Sequence, residues 1–220
     1  MGKSKDELIK ELAEISSGKI NNIISELAEI HKVTPIKVKN QDENNSSVCF
    51  ILSCPGRDEM IHNKLCQGET GKNLNKLLLI LSKRYPSLFP DLEKEKYDIL
   101  NASQTVHFDA LDGCTEGDAG EIKTEEQNVK DYITKNKKFK FAILLGEKPK
   151  FFKDLFDGKC VQSRHLGYQS INQINNDGEI NIMDFYKKPS DRTNARIKVV
   201  ANEIIKQIDD LLAKKIVVLE

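Results

Sequence analysis

Apolar residues recur at helical spacing at both ends of the chain. Between Leu8 and Ile30 they stand three or four positions apart, and the segment Ser16–Gly18 interrupts them, which predicts two short N-terminal helices. The same spacing between Ser190 and about Lys214 predicts one long amphipathic helix near the C-terminus.

Short continuous apolar runs fill the middle of the chain and predict buried strands. These runs cover 48–53, 97–103, 138–149 and 159–165. Helices are predicted between them at 70–85 with Thr70 as the N-cap, from Thr124 to about Lys135 with a capping box at Thr124–Gln127, and at 150–156. The segment 109–122, rich in Gly and Asp, predicts a long loop, and 170–188 predicts a short helix and a loop.

Strands that alternate with helices favour a largely parallel sheet covered on both faces. The predicted fold class is therefore α/β, a three-layer α/β/α arrangement around a central, mostly parallel four-stranded sheet. We expect a single domain over residues 1–220. Its parts are an N-terminal helical extension at 1–38, a core at 48–175 and a C-terminal helix at 190–214.

Composition excludes several classes of protein. The 34 basic and 34 acidic residues cancel, so the chain is not a nucleic-acid polycation, and any DNA site must come from local clustering. No apolar run approaches the ~18 residues of a membrane helix, and the charged N-terminus predicts no signal peptide. Five cysteines without a Cys-x-x-Cys pair predict neither a disulfide framework nor a metal site. We expect a cytoplasmic protein.

The first candidate for chemistry is the turn that follows the first strand. Pro55 and Gly56 would let backbone amides approach a flat ligand, because glycine has no Cβ in the way. Asp58 and Glu59 would then place one or two carboxylates beside that ligand. A simple connection between a strand and a helix, with solvated acids, is an equally good interpretation of this stretch alone.

The second candidate is the loop Gly68-Glu69-Thr70-Gly71-Lys72 at the start of a helix. Free amides and a lysine there suit a phosphate group. The spacing is not that of a P-loop, and an ordinary helix cap is the better interpretation of this loop alone.

The third candidate combines residues that follow the other strands. Asn101 ends the second strand, and Arg164 and His165 follow the fourth, so they should meet at the carboxyl edge of the sheet. His165 could donate to a polarised carbonyl or a phosphate, although a lone histidine is more often structural. Nearby lysines such as Lys148 could follow a phosphate backbone. His107 has no such context and is predicted to be a surface or core residue.

Together these segments resemble the uracil-DNA glycosylase superfamily over about residues 48–175. The branch of closest resemblance is the thermophile type, with the motifs Gly-Glu-x-Pro-Gly-x-x-Glu and Gly-x-Pro-Phe-x-Gly-x-x-Gly. The positions that match it are Pro55, Gly56 and Glu59 in the first motif, Gly68 and Gly71 in the second, the strand ending at Asn101, the strand 142–146, and the loop 164–167 where the family has His-Pro-Ser.

The chain also departs from this branch. Ser53 stands where the branch has glutamate, and Cys54 where other branches have aspartate or asparagine, so the usual water-activating side chain is missing. Cys66 replaces the phenylalanine that stacks on uracil, which removes about 1–3 kcal/mol of stacking and opens space. The cysteines of an iron–sulfur cluster have no counterparts, so we expect no cofactor.

The resemblance implies a DNA glycosylase that flips out a modified or damaged pyrimidine and hydrolyses its N-glycosidic bond, leaving an abasic site. Asn101 would read the base, His165 would donate to the pyrimidine carbonyl, and Glu59 or Asp58 would orient water or stabilise the sugar cation. The base pocket would comprise Ser53, Cys54, Pro55, Gly56, Cys66 and Asn101. DNA contacts would come from Gly68, Thr70, Gly71, Lys72, Lys148, Arg164, Leu166, Gly167 and Tyr168.

The opened pocket predicts a base larger than uracil, such as glucosylated hydroxymethylcytosine in phage DNA, and hence a role in antiviral defence or DNA repair. The expected partner is double-stranded DNA carrying a modified base, bound by a monomer without a membrane. Two alternatives remain open. One is a non-catalytic DNA or modified-base binder on the same fold, and the other is a nucleotide-binding α/β protein that uses the loop 68–72.

Overall fold

The structure, a computed structural model, describes residues 3–14, 20–40, 46–135 and 141–217. Its centre is a parallel sheet in the order β2-β1-β3-β4. The strands are β1 (Val48–Leu52), β2 (Asp98–Asn101), β3 (Phe141–Leu145) and β4 (Cys160–Ser163). The predicted α/β fold with a four-stranded parallel sheet between helices is confirmed.

Nine α-helices, two 3₁₀ helices and one small hairpin complete the described part of the chain. The α-helices are α1 (Lys5–Glu14), α2 (Ile20–Val33), α3 (Arg57–His62), α4 (Gly68–Arg84), α5 (Asp109–Asp112), α6 (Ala119–Lys135), α7 (Tyr168–Asn172), α8 (Ile182–Phe185) and α9 (Pro189–Val217). The 3₁₀ helices span Lys94–Lys96 and Lys148–Phe156, and the antiparallel hairpin joins β5 (Asn176–Asp177) to β6 (Ile180–Asn181).

Two apolar cores lie on opposite faces of the sheet. On one face, side chains such as Phe50 and Ile143 pack with the N-terminal helices, α4 and α9. On the other face, Ile51 and Leu144 pack with α6 and the longer 3₁₀ helix. Every residue of β1, β2 and β3 is buried, as expected for parallel strands covered on both sides.

The strand order defines the edge of the sheet at which a ligand site is expected. The chain runs outward from β1 to β2 on one side and to β3 and β4 on the other. In open parallel sheets, the crevice outside the carboxyl ends of the strands at such a reversal is the usual place for a ligand. Ser53, Asn101, Gly146 and Arg164 each lie at or just beyond the carboxyl end of one strand.

The N-terminal extension is attached to this edge. Its residues 36–38 run antiparallel to 104–106, with the Val38 amide donating to the Gln104 carbonyl at 2.9 Å and the Val106 amide to the Ile36 carbonyl at 2.8 Å. The extension therefore braces the segment that follows β2. The predicted interruption at Ser16–Gly18 lies outside the described residues.

Three local predictions are wrong at helix starts. The segment 109–122 is not one long loop, because it contains α5 and the first turn of α6. Helix α6 begins at Ala119 because Asp118 Oδ1 accepts the Glu121 amide at 2.7 Å, so Thr124 lies inside the helix and bonds the Gly120 carbonyl. Helix α4 begins at Gly68 after the N-cap residue Gln67, so Thr70 does not cap it.

Gly71 fixes how closely α4 approaches the preceding loop. A Cβ built on Gly71 would lie 2.1 Å from the Cys66 carbonyl oxygen and 2.7 Å from Lys94 Cε. We expect Gly71→Ala to lower the free energy of unfolding by about 1–3 kcal/mol, measured by urea denaturation, because backbone must shift to admit the methyl group. Lys83→Ala, on an exposed position of the same helix, should change it by less than about 0.5 kcal/mol. Equal midpoints for both variants would contradict the close approach.

Candidate active site

A cavity of about 290 Å³ opens at the carboxyl ends of β1 and β2, beside the segment that leaves β4. Its walls come from the turn after β1, the start of α4, the segment 107–116 and the start of α7. The residues that line it are Leu52, Ser53, Cys54, Gly56, Glu59, Cys66, Thr70, Asn101, His107, Thr115, Glu116, His165, Gly167, Tyr168, Gln169 and Ser170.

The Glu59 carboxylate shapes one wall. Oε2 accepts the Gly56 amide at 3.1 Å, and Oε1 accepts the Gln67 amide at 3.0 Å. These bonds tie the turn after β1 to the start of α4. Burial raises the pKa of Glu59, while the backbone hydrogen bonds oppose that rise.

His165 forms another wall and is held as a neutral donor. Desolvation lowers its pKa to about 4, so the imidazole is neutral near pH 7. Nδ1 accepts the Gly167 amide at 3.0 Å, which leaves Nε2 as the nitrogen that carries hydrogen. A Cβ on Gly167 would lie 2.8 Å from Nδ1, so glycine is needed for this approach.

Two polar side chains in the cavity have unused hydrogen-bonding capacity. Ser53 is only 2% exposed, and its Oγ has no partner among the described residues. Gly146 makes room for this hydroxyl, because a Cβ there would lie 2.9 Å from Oγ. Asn101 is 3% exposed, and no described residue bonds its carboxamide, while its backbone amide donates to Asn40 Oδ1 at 3.0 Å. Leaving a buried polar group such as the Ser53 hydroxyl unpaired costs about 1–3 kcal/mol, which favours a polar ligand here.

The cysteines of the pocket are inert as nucleophiles. Burial raises the pKa of Cys54 to about 12, and burial also raises the pKa of the Cys66 thiol well above its ordinary value. Both side chains therefore remain thiols near neutral pH. Cys66 contributes a small side chain to the lining. Its φ is 55°, and Asn63 and Gly68 on either side of it in the same loop also have positive φ values, of 47° and 63°.

Sequence reasoning missed His107, Thr115 and Glu116. His107 Nε2 lies 2.8 Å from Glu121 Oε2, and Nδ1 contacts Asp112 Oδ2, so both ring nitrogens are used within the protein. Its position six residues beyond Asn101 was the available signal. Thr115 and Glu116 lie in an irregular segment without hydrophobic periodicity, which gave no signal.

Several predicted site residues lie outside the lining. These are Asp58, Pro55, Gly68, Gly71, Lys72, Lys148, Arg164 and Leu166. The Asp58 carboxylate occupies the space beside Gly68, where a Cβ would lie 2.1 Å from Oδ2. Lys72 is bonded to Glu69 at 2.8 Å. Arg164 forms an ion pair with Glu203 at 3.7 Å.

Leu166 requires a correction. Its side chain is 0% exposed and belongs to the apolar core, so it cannot enter a DNA groove in this conformation. Its carbonyl accepts a hydrogen bond from Asn73 Nδ2 at 2.9 Å, which holds the segment against α4. Tyr168, two residues later, is 70% exposed and lines the cavity.

The lowered pKa of His165 predicts a stability loss in acid. Between pH 6.5 and 4 this histidine is protonated in the unfolded state but stays neutral in the folded state. The free energy of unfolding therefore falls by up to about 3 kcal/mol as the pH is lowered through this range. His165→Gln should remove this part of the loss, measured as the difference in urea midpoints across that pH range. His62→Gln, at an exposed position, should retain it. Parallel curves for the wild type and His165→Gln would contradict the desolvated, neutral His165.

Within the described residues, no group of three or more His, Cys, Asp or Glu side chains is arranged to hold a metal ion. No helix in that part of the chain is long and apolar enough to span a membrane. The chain matches no protein-family model and no curated protein sequence.

Proposed function

We propose that the protein is a DNA glycosylase, which flips a modified pyrimidine into the cavity and hydrolyses its N-glycosidic bond to leave an abasic site. One observation carries this proposal. The carboxamide of Asn101 and the neutral imidazole of His165, from segments that follow different strands, line the same cavity at the carboxyl edge of the sheet. An amide and a neutral donor are the groups needed to read a base edge and to stabilise the base as it departs.

His165 suits the second of these roles. Cleavage of the N-glycosidic bond leaves negative charge on the pyrimidine, and a hydrogen bond from Nε2 to a base carbonyl oxygen would stabilise that charge. Because desolvation keeps the imidazole neutral, His165 would act as a fixed dipole and would not need to release a proton. A preorganised donor of this kind contributes about 10²–10³-fold in rate.

The lining favours a modified pyrimidine over plain uracil. Cys66 stands where the glycosylases that the motifs resemble have a stacking ring, and the remaining walls carry the hydroxyl groups of Thr70, Thr115 and Ser170. A base with a polar substituent, such as glucosylated hydroxymethylcytosine of phage DNA, would find hydrogen-bonding partners there. This substrate would place the protein in defence against phage DNA.

In this proposal Tyr168 keeps the DNA-contacting role predicted for it, whereas the buried Leu166 does not. Its side chain is 70% exposed and forms part of the cavity lining. An aromatic ring at that position can stack on the flipped base or on its neighbour in the strand. Gly167 precedes it as the N-cap of α7.

A non-catalytic base binder is the second candidate, favoured by Ser53 at the position of the motif carboxylate.

A nucleotide-binding protein that uses residues 68–72 is disfavoured by charge. Asp58 occupies the space beside Gly68, and Glu59 already accepts the Gln67 amide, so two carboxylates cover the start of α4 where a phosphate would have to bind.

The test is abasic-site formation on a panel of duplex oligonucleotides. The panel holds uracil, mismatched thymine, hydroxymethylcytosine and glucosylated hydroxymethylcytosine, and alkaline cleavage reports abasic sites. We expect the glucosylated base to be removed, and His165→Gln to slow removal about 10²–10³-fold. His62→Gln is the matched control and should retain the wild-type rate.

Each outcome separates the candidates. Tight binding of the modified duplex without abasic sites would support the binder and overturn the glycosylase. If only the uracil duplex is cleaved, the proposal of a modified base as substrate is overturned, and the proposal of a glycosylase stands. Stabilisation of the fold by a nucleotide with magnesium, and no DNA binding, would favour the third candidate.

The stacking role of Tyr168 gives a separate prediction. Tyr168→Ala should weaken binding to the modified duplex by about 1–3 kcal/mol, because one ring is lost. Tyr168→Phe keeps the ring and should bind nearly as the wild type does. Fluorescence anisotropy at fixed ionic strength measures both, and equal weakening of the two variants would show that the hydroxyl, not the ring, makes the contact.

A further inference from the structure

Hydrolysis of the N-glycosidic bond needs a group that accepts a proton from the attacking water, and neither carboxylate predicted for that role is suited to it. The Asp58 side chain lies beside Gly68 and outside the cavity lining. Glu59 lines the cavity, but each of its oxygens already accepts a backbone amide, and those bonds hold the pocket wall in shape. Burial raises the pKa of this carboxyl, but a proton taken up by either oxygen would compete with the amide bonded there.

We propose that Glu116 is the catalytic carboxylate of this site. It lines the same cavity as Asn101 and His165. No residue in the described part of the chain donates a hydrogen bond to its carboxylate or forms an ion pair with it. Burial is the main cause of the raised pKa of the Cys54 thiol, and the negative charge of Glu116 adds to it, which places the carboxylate near the turn that follows β1. Glu116 is thus the unengaged acid of the cavity.

The segment around Glu116 is anchored over the strand end. Cys54 Sγ donates to the Thr115 carbonyl at 3.5 Å. The Glu116 amide donates to Cys114 Sγ at 3.4 Å, and the Cys114 amide donates to Asp112 Oδ1 at 2.9 Å. These contacts use the backbone of Thr115 and Glu116 and leave the Glu116 carboxylate free to face the cavity.

Ser53 supplies the second feature of a water site. Its hydroxyl lines the cavity, is nearly fully buried and lacks a partner among the described residues. In the proposed step, a water held by the Ser53 hydroxyl and the Glu116 carboxylate attacks C1′ of the deoxyribose. The water loses a proton to Glu116, and the C1′–N bond breaks with its electron pair passing to the base. His165 stabilises the base anion, which solvent then protonates.

This inference rests on the proposed glycosylase function, and its test uses the substrate that the wild type cleaves. We expect Glu116→Gln to lower the single-turnover rate of abasic-site formation about 10²–10⁴-fold, with unchanged binding of the modified duplex. Added formate should restore part of the rate in Glu116→Ala, because a small carboxylate fills the vacated space. Glu147→Gln is the matched control, since Glu147 lies beyond the end of β3, outside the cavity lining, and pairs with Lys150 at 2.7 Å.

The variant Glu59→Gln distinguishes the structural role of Glu59 from the proposed catalytic role of Glu116. Because a Gln side chain offers one acceptor oxygen for two amides, this change should lower the thermal midpoint, whereas Glu116→Gln should not. If the wild type is active and Glu116→Gln stays within about threefold of its rate, the assignment of Glu116 is overturned and the glycosylase stands. The effect of formate is expressed for each variant as the ratio of its rates with and without formate. If this ratio is no larger for Glu116→Ala than for Glu147→Gln, Glu116 is not the proton acceptor. An inactive wild type would overturn the proposed function itself, and this inference with it.

Discussion

The site depends on one bridging carboxylate. Glu59 accepts two backbone amides that are eleven positions apart in sequence, those of Gly56 and Gln67, at 3.1 and 3.0 Å. Hydrogen bonds to a charged group contribute about 1.5–3 kcal/mol each, so this pair outweighs the entropy of a short loop. It fixes the turn after β1 relative to the start of α4, and the wall of the cavity follows from that placement. Burial of the carboxylate, which raises its pKa, is the cost of this arrangement.

Because both oxygens of Glu59 accept backbone amides that shape the cavity wall, we do not assign this carboxylate a role in the proposed reaction. The motif residue Glu59 therefore has a structural role that accounts for its place in the pattern without any catalytic one. Ser53 stands where the resembled motif has glutamate, and its buried hydroxyl lines the cavity without a partner among the described residues. For the proposed reaction, the acid must then come from elsewhere, and Glu116 enters from a segment that the motifs do not include. In this proposal Glu59 holds the cavity wall in place, and Glu116 accepts the proton from water.

The elements that could be predicted from the sequence are those with periodicity. The apolar runs at β1 and β3 identified the sheet because strands covered on both faces read as continuous hydrophobic segments. The start of α6 was missed because its cap is Asp118, inside a Gly- and Asp-rich segment that resembles a loop. The position of Glu116 depends on tertiary contacts of an irregular segment, which leave no periodic trace.

Leu166 illustrates a different limit. Motif alignment places a residue in a loop, but burial decides whether its side chain can reach a ligand. Here the chain turns so that Leu166 packs into the core while Gly167 passes close to His165, and Tyr168 emerges into solvent. Spacing alone could not distinguish an inward residue from an outward one, because a shift of two positions in an irregular segment changes neither composition nor pattern.

The space at residue 66 is separable from the chemistry of the site. The backbone there cannot retreat, because the Cys66 carbonyl lies against Gly71 and the next amide is bonded to Glu59. The size of the side chain at 66 therefore sets the room available in that part of the cavity. A ring would fill it, and a thiol leaves it open. His165 and Glu116 are carried by other segments, so a larger base at residue 66 would require no movement of the groups proposed to act on the glycosidic bond.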